Sequence, residues 1–177
     1  RLEDWKTKEF WLGLVEHGRK HARAREDALA HYSRLGGYPH CHAPADVPPE
    51  LLRQQIVGEV ITKTIDHDPG HRRHSAAPST ELLRFVFRIA CRYAGQAVRP
   101  ETFAQELRTL TGSPVTPEKV NQALSFLADS LLIMRVNSLE VVGKKQGFPP
   151  KLCICDPFVR NGVLQETIPL DPAALAR

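Results

Sequence analysis

The sequence predicts a mainly α protein, a helical subdomain followed by a helix-turn-helix with a small β-hairpin, and three observations carry that expectation. Apolar residues recur at helical spacing in successive stretches bounded by proline, glycine or capping residues. Two short helical stretches, one from Pro100 to Leu107 or Leu110 and one over 116–129, are separated by a turn at Thr-Gly-Ser-Pro. The pattern then turns β-rich in LLIMRV (131–136) and alternates in KLCICD (151–156), with a turn-forming, lysine-bearing stretch between them.

Taken in order, residues 4–17 set Trp5, Trp11, Leu12, Leu14 and Val15 at mixed helical spacing, and ARAREDALAHYSRL continues the signal to Leu35. Gly36–Gly37 then supply a permissive backbone and Pro39 cannot continue a helix, so GGYP reads as a C-cap and sharp turn. Pro48–Pro49–Glu50 open a helix carrying Leu52, Ile56, Val60, Ile61 and Ile65, which ends near Asp66. HDPGHRRHSAAPS is an exposed connection, and Ser79–Thr80–Glu81 start the next helix. That helix, ELLRFVFRIACRYAG, is apolar around most of its circumference and is expected at the centre of the fold, with Arg84, Arg88 and Arg92 forming one basic seam. Thr116–Pro117–Glu118 give the last long helix a cap, an N1 proline and an acid, and Val120, Ala123, Leu124, Leu127 and Leu131 are expected on its buried face. After it, LLIMRV, LEVV and KLCICD read as strands, with Leu152 and Ile154 on one face and Cys153 and Cys155 on the other. Helix-turn-helix, then a small sheet with a loop at its tip, is the order of a winged helix.

Composition narrows the class. With 177 residues and 42% hydrophobic content the chain can bury a core of one large or two small domains, which excludes disorder and coiled coil. No apolar run approaches the roughly 18–20 residues of a membrane span, and RLEDWKTKEF has no apolar signal core. The four cysteines, 41, 91, 153 and 155, lack framework spacing, so reduced thiols and a cytoplasmic address are expected. The chain starts with arginine and its one methionine is Met134, so it is expected to be cut from something longer. A net charge of +4 permits an acidic or nucleic-acid partner, and the basic residues gather at 19–25, at Arg72–Arg73, along Arg84/Arg88/Arg92 and at Lys144–Lys145 with Lys151.

GGYP (36–39), the helix end TKTIDHD, LSFLADSLLIMRV and KKQGFPPKLCICDPFVRNGVL occur in an order that resembles the C-terminal part of a family of bacterial and archaeal AAA-type ATPases. In that family an ATPase core precedes a winged helix and a nuclease-like domain of unknown function. The resemblance runs from about Leu29 to Leu164, through Gly36, Gly37, Tyr38 and Pro39 and through a lysine, a strand, an aspartate and a short helix at Lys151–Leu164, which makes Asp156 the motif aspartate. It implies a helical segment over 1–45, a helix and connection over 46–79, a winged-helix domain over 80–165, and a tail over 166–177 leading to a further domain. No GxxxxGK[ST] loop occurs, so no catalytic residue and no cofactor is expected in this chain. ATP and magnesium belong, on this resemblance, to an N-terminal part outside it.

The expected role is therefore a non-catalytic segment that contacts DNA or couples the ATPase to a partner. Lys119, Asn121 and Gln122 on the second helix, with Lys144, Lys145 and Lys151 at the hairpin, are the candidate DNA contacts. Glu118 and Asp129 on the same helix face oppose a phosphate-lined groove and favour the alternative, a protein-interaction winged helix. The Arg84/Arg88/Arg92 stripe is either a solvated seam or a phosphate or partner contact. His40, Cys41, His42, His67, His71 and His74 invite a zinc reading, with an independent metal-binding protein as the third alternative, but Pro69, Gly70 and two arginines in HDPGHRRH favour exposed loop histidines, and no metal is expected. Asp66 and Asp68 read as structural or interaction groups.

Overall fold

The structure is a computed structural model, and it describes residues 4–42, 47–67, 78–137 and 148–164. Within them the protein is mainly helical with one small antiparallel sheet. After a 3₁₀ turn at Asp4–Lys6 come α1 (Lys8–Lys20) and α2 (Ala22–Leu35), broken at His21, then a 3₁₀ segment at Pro39–His42. The remaining elements are α3 (Pro49–Ile56), a π-helical segment (Val57–Thr62), α4 (Lys63–His67), α5 (Thr80–Arg92), α6 (Pro100–Thr111), α7 (Pro117–Asp129), β1 (Ile133–Val136), β2 (Lys151–Ile154) and α8 (Pro157–Leu164).

Helix starts follow local chemistry. The Ser79 hydroxyl accepts from Leu82 N–H and that of Thr116 from Lys119 N–H, each satisfying a donor at the first turn that has no partner within the helix. Pro100 and Pro117 occupy the first helical position, where a missing N–H costs nothing. The run from Pro49 to His67 is continuous but passes through the wide π turn. That turn has a packing consequence, because Ile56, Ile61 and Ile65 are all buried. In a regular α-helix five residues rotate the side chain roughly 140° off its starting face; the extra residue in the π turn brings Ile61 back beneath Ile56.

Central position falls to α5, whose Leu83, Val86, Phe87, Ile89, Ala90 and Cys91 are all buried. It packs on α6 and α7 on one side and on α8 on another, while α8 also meets α2, α3 and β2. One hydrophobic cluster runs from Cys41 and Ile56 through Phe87, Phe103, Leu107 and Leu127 to Leu152 and Phe158, joining stretches that the sequence assigns to separate units.

In the sheet Ile133 pairs with Ile154, Met134 with Cys153, Arg135 with Leu152 and Val136 with Lys151. The far edge of β2 also pairs with the α5–α6 connection: Ala97 bridges Lys151, Leu152 O accepts from Gly95 N–H at 2.7 Å, and Leu152 N–H donates to Gln96 O at 3.0 Å. Leu152 and Ile154 face the core, as the alternation predicts, with Cys153 half-buried and Cys155 exposed. The LEVV stretch and Lys144–Lys145 lie outside the described residues.

One core assignment is corrected. Leu131 does not continue the buried face of α7; it is 75% exposed, because the helix ends at Asp129 and Leu131 takes a left-handed conformation, φ 57°. Leu132 N–H then reaches back to Leu127 O and Leu131 N–H to Ala128 O, the hydrogen bonding of a Schellman terminus, in which the residue at this position is usually glycine. A non-glycine side chain there costs roughly 1–2 kcal/mol.

Candidate functional site

Two regions gather the residues singled out by sequence. The first is the outer surface of α7 with the adjoining sheet. Val120, Ala123, Leu124, Phe126 and Leu127 anchor α7 to the core, which leaves Glu118, Lys119, Gln122, Ser125 and Asp129 exposed and Asn121 half-buried. Glu118 carries an ionised carboxylate here, its pKa held below the usual range first by its own backbone N–H and then by the Thr116 hydroxyl. Lys151 is exposed at the start of β2. Lys144 and Lys145 lie outside the described residues.

A residue that sequence reasoning missed joins this surface. Arg135 extends from β1 and donates to Ser125 Oγ at 3.2 Å, setting a half-buried guanidinium beside the exposed face of α7. The alternation of β1 carried the signal: Arg135 shares its face with Ile133, not with Met134, so a strand packed on α7 must aim it at that helix. A cavity of about 270 Å³ lies at the other end of α7, lined by Ser79, Glu81, Phe85, Thr111, Val115 and Lys119 among others.

The Arg84/Arg88/Arg92 stripe is present on α5, but two of its members are engaged within the chain. Arg84 pairs with Asp66 at 2.5 Å, and Arg92 pairs with Glu106, which also accepts from the Tyr93 hydroxyl. Among the described residues Arg88 makes no ion pair, so the free charge of the stripe is one exposed guanidinium instead of three. Asp66 thus joins α4 to α5; Asp68, His71 and His74 lie outside the described residues, as do the side chains of His40 and His67.

The second region unites residues far apart in sequence. Asp156 is 7% exposed, and its carboxylate accepts from Phe158 N–H at 2.8 Å, capping α8, and from Gly37 N–H at 2.6 Å. The GGYP turn and the motif aspartate, 119 residues apart, are therefore one structural unit. Gly36 is required there twice over: its φ is +67°, and a Cβ would collide with the Asp156 carboxylate. Around it the Tyr32, Tyr38, Cys41 and Cys155 side chains are all pushed to higher pKa, by burial first; the negative charge of Asp156 adds to this in each case. Pro39 opens the 3₁₀ turn that follows. Reactive thiolate chemistry is not favoured at a site where every shift keeps the proton on.

Comparison with protein-family models, with curated proteins and with solved structures finds no match.

Proposed function

We propose that this chain is a non-catalytic winged-helix segment that contacts the DNA phosphate backbone and, in the setting its sequence resembles, couples an AAA-type ATPase core to that DNA. The order of elements carries the reading. Three packed helices, α5, α6 and α7, are followed by β1 and β2, and an isolated bridge at Ala97 sets the α5–α6 connection along the far edge of β2. A spatial order of that connection, β2 and then β1 supports a winged helix, in which the residues between β1 and β2 would be the wing.

Contacts would come from Lys119, Asn121, Gln122 and Arg135 on the helix side and from Lys151 with Lys144 and Lys145 on the wing side. Lysines meet phosphates without reading bases, so binding would be salt-dependent and sequence-tolerant. Glu118 and Asp129 discourage deep insertion of α7 into a groove, which assigns the larger share to the wing. ATP and magnesium would act in a core outside this chain.

The test is fluorescence anisotropy with a generic duplex at low and moderate salt, comparing the parent chain with Lys144→Glu/Lys145→Glu/Lys151→Glu. Binding in the roughly 10⁻⁴–10⁻⁶ M range that weakens with salt and is lost in the variant is expected. Absence of binding at low salt would sink the DNA reading. It would favour the second, a protein-docking winged helix, for which Glu118 and Asp129 on α7 and the exposed Leu131, Met134, Val136 and Phe148 are the specific observations.

A further inference from the structure

Beside the Asp156 unit stand two histidines, and the geometry fixes which nitrogen of His42 carries a hydrogen. His42 Nε2 lies 2.9 Å from Gly36 O, and a carbonyl only accepts, so Nε2 carries the hydrogen. In neutral His42 the other nitrogen, Nδ1, is therefore a bare lone pair, and it lies 3.1 Å from His31 Nε2 on α2. Gly36 C=O and Gly37 N–H are the two ends of one peptide unit. His42 holds the first and Asp156 the second, at 2.6 Å.

That chain of groups has a chemical consequence. The carboxylate polarises the Gly36–Gly37 peptide and the carbonyl becomes a stronger acceptor, which fixes the His42 ring with Nδ1 toward His31. A histidine whose far N–H is fixed on a carbonyl backed by a carboxylate is the arrangement that orients imidazoles toward metal ions. Two imidazole nitrogens bound to one tetrahedral zinc at about 2.0–2.1 Å would be roughly 3.3–3.4 Å apart. His31 Nε2 and His42 Nδ1 are within a few tenths of an ångström of that separation.

We infer that His31 Nε2 and His42 Nδ1 form a two-histidine site for a borderline divalent transition metal such as Zn²⁺, water completing its coordination. Without metal, His31 Nε2–H donates to His42 Nδ1; with it, His31 takes the Nδ1–H tautomer and turns its lone pair to the ion. No third His, Cys, Asp or Glu completes a cluster with the pair among the described residues, so the site is an exchangeable one and not a structural zinc. Occupancy would staple α2 to the Pro39–His42 segment and stiffen the turn that Asp156 holds.

The experiment is calorimetric titration of Zn²⁺ into the parent chain and into His31→Gln, with thermal melting of both in the presence and absence of the ion. His31 touches His42 across an exposed surface, so His31→Gln leaves the His42–Gly36 and Gly37–Asp156 bonds in place, and far-UV circular dichroism verifies its fold. A His67→Gln/His71→Gln/His74→Gln variant removes the histidines of the 67–74 stretch, and His17→Gln/His21→Gln the ring pair at the end of α1. One equivalent of Zn²⁺ that survives both of these variants, raises Tm, and binds at least about tenfold more weakly in His31→Gln is expected. No uptake by the parent chain, or an equivalent unaffected by His31→Gln, overturns the site. Cu²⁺ used as a spectroscopic probe gives a separate readout: nitrogen coupling from two imidazoles in the parent chain, reduced to one in His31→Gln.

Discussion

Asp156 shows how much one side chain can hold together. Its two oxygens take two backbone donors, one from the first turn of α8 and one from the turn that ends α2, both at distances of charge-assisted bonds. Replacing it by alanine leaves Gly37 N–H and Phe158 N–H without their acceptor in a site that is 7% exposed. Each abandoned donor costs about 1–3 kcal/mol, so Asp156→Ala is expected to lose several kcal/mol, read as a lower urea midpoint. Asp156→Asn keeps one acceptor oxygen but presents an NH₂ to one of the two donors, and is expected to fall between the parent and the alanine variant. Equal midpoints for parent and alanine variants would mean that water replaces the carboxylate and that the junction contributes nothing.

At the scale of elements, α5 links core packing to a pH dependence. The Cys91 thiol, fully buried on this helix, is pushed up to about 12 by burial, with the Arg160 guanidinium acting in the opposite direction. Arg160 is close because its Nε donates to Cys91 O at 3.1 Å, a cation at the negative end of α5. An unfolded thiol ionises near 9.0, so between there and about 12 the unfolded chain releases a proton that the folded chain keeps. The stability tied to that proton is complete below this window and falls as pH rises through it, by about 1.4 kcal/mol per pH unit. Tyr32, Tyr38, Cys41 and Cys155 are raised as well and act with the same sign. Urea unfolding at neutral pH and within the window is expected to show this decline, and Cys91→Ala to flatten it without abolishing it. An identical slope in Cys91→Ala would show that the thiol does not titrate with unfolding.

The same scale shows how far the sequence could be read. Caps, N1 prolines and helical periodicity located the helices from α3 to α7 to within a few residues, since each of these signals is local chemistry, whereas a short helix at α8 was expected only from the family resemblance. The π turn was invisible because caps and prolines mark where a helix starts and not its winding, and it is the joint burial of Ile56 and Ile61, roughly 140° apart in a regular α-helix, that requires it. Leu131 misled because periodicity cannot sense where a helix stops, and the left-handed turn that ejects it carries leucine where glycine would have marked the end. In the candidate sites, GGYP and Asp156 were legible as separate motifs. Their contact was not, since a bond spanning 119 residues leaves no mark on local pattern. The ion pairs of Arg84 and Arg92 were hidden for the same reason, Asp66 and Glu106 lying on other helices.

For the molecule as a whole, the distribution of aromatic residues is uneven in a way that can be measured. Both tryptophans belong to the N-terminal arm, Trp5 54% and Trp11 55% exposed, and α1 buries none of its residues although it carries Phe10, Leu12, Leu14 and Val15. What holds Trp11 is local: its indole N–H donates to Trp5 O at 2.6 Å, and its ring meets Phe10 edge-on. The core is lined instead by phenylalanine and aliphatic side chains on α5, α6, α7 and α8. Each apolar side chain left in water forgoes about 1.5–3 kcal/mol of burial, so the arm adds little to the cooperative unit and its opening free energy is expected to be low. Tryptophan emission of the folded chain should therefore resemble that of indole in water and barely shift on urea unfolding. Helical circular dichroism, reporting the core, should show one cooperative transition across the same range. A blue-shifted native emission that moves red at the same midpoint would contradict this, because it would place the apolar face of α1 against the core or a second copy in solution.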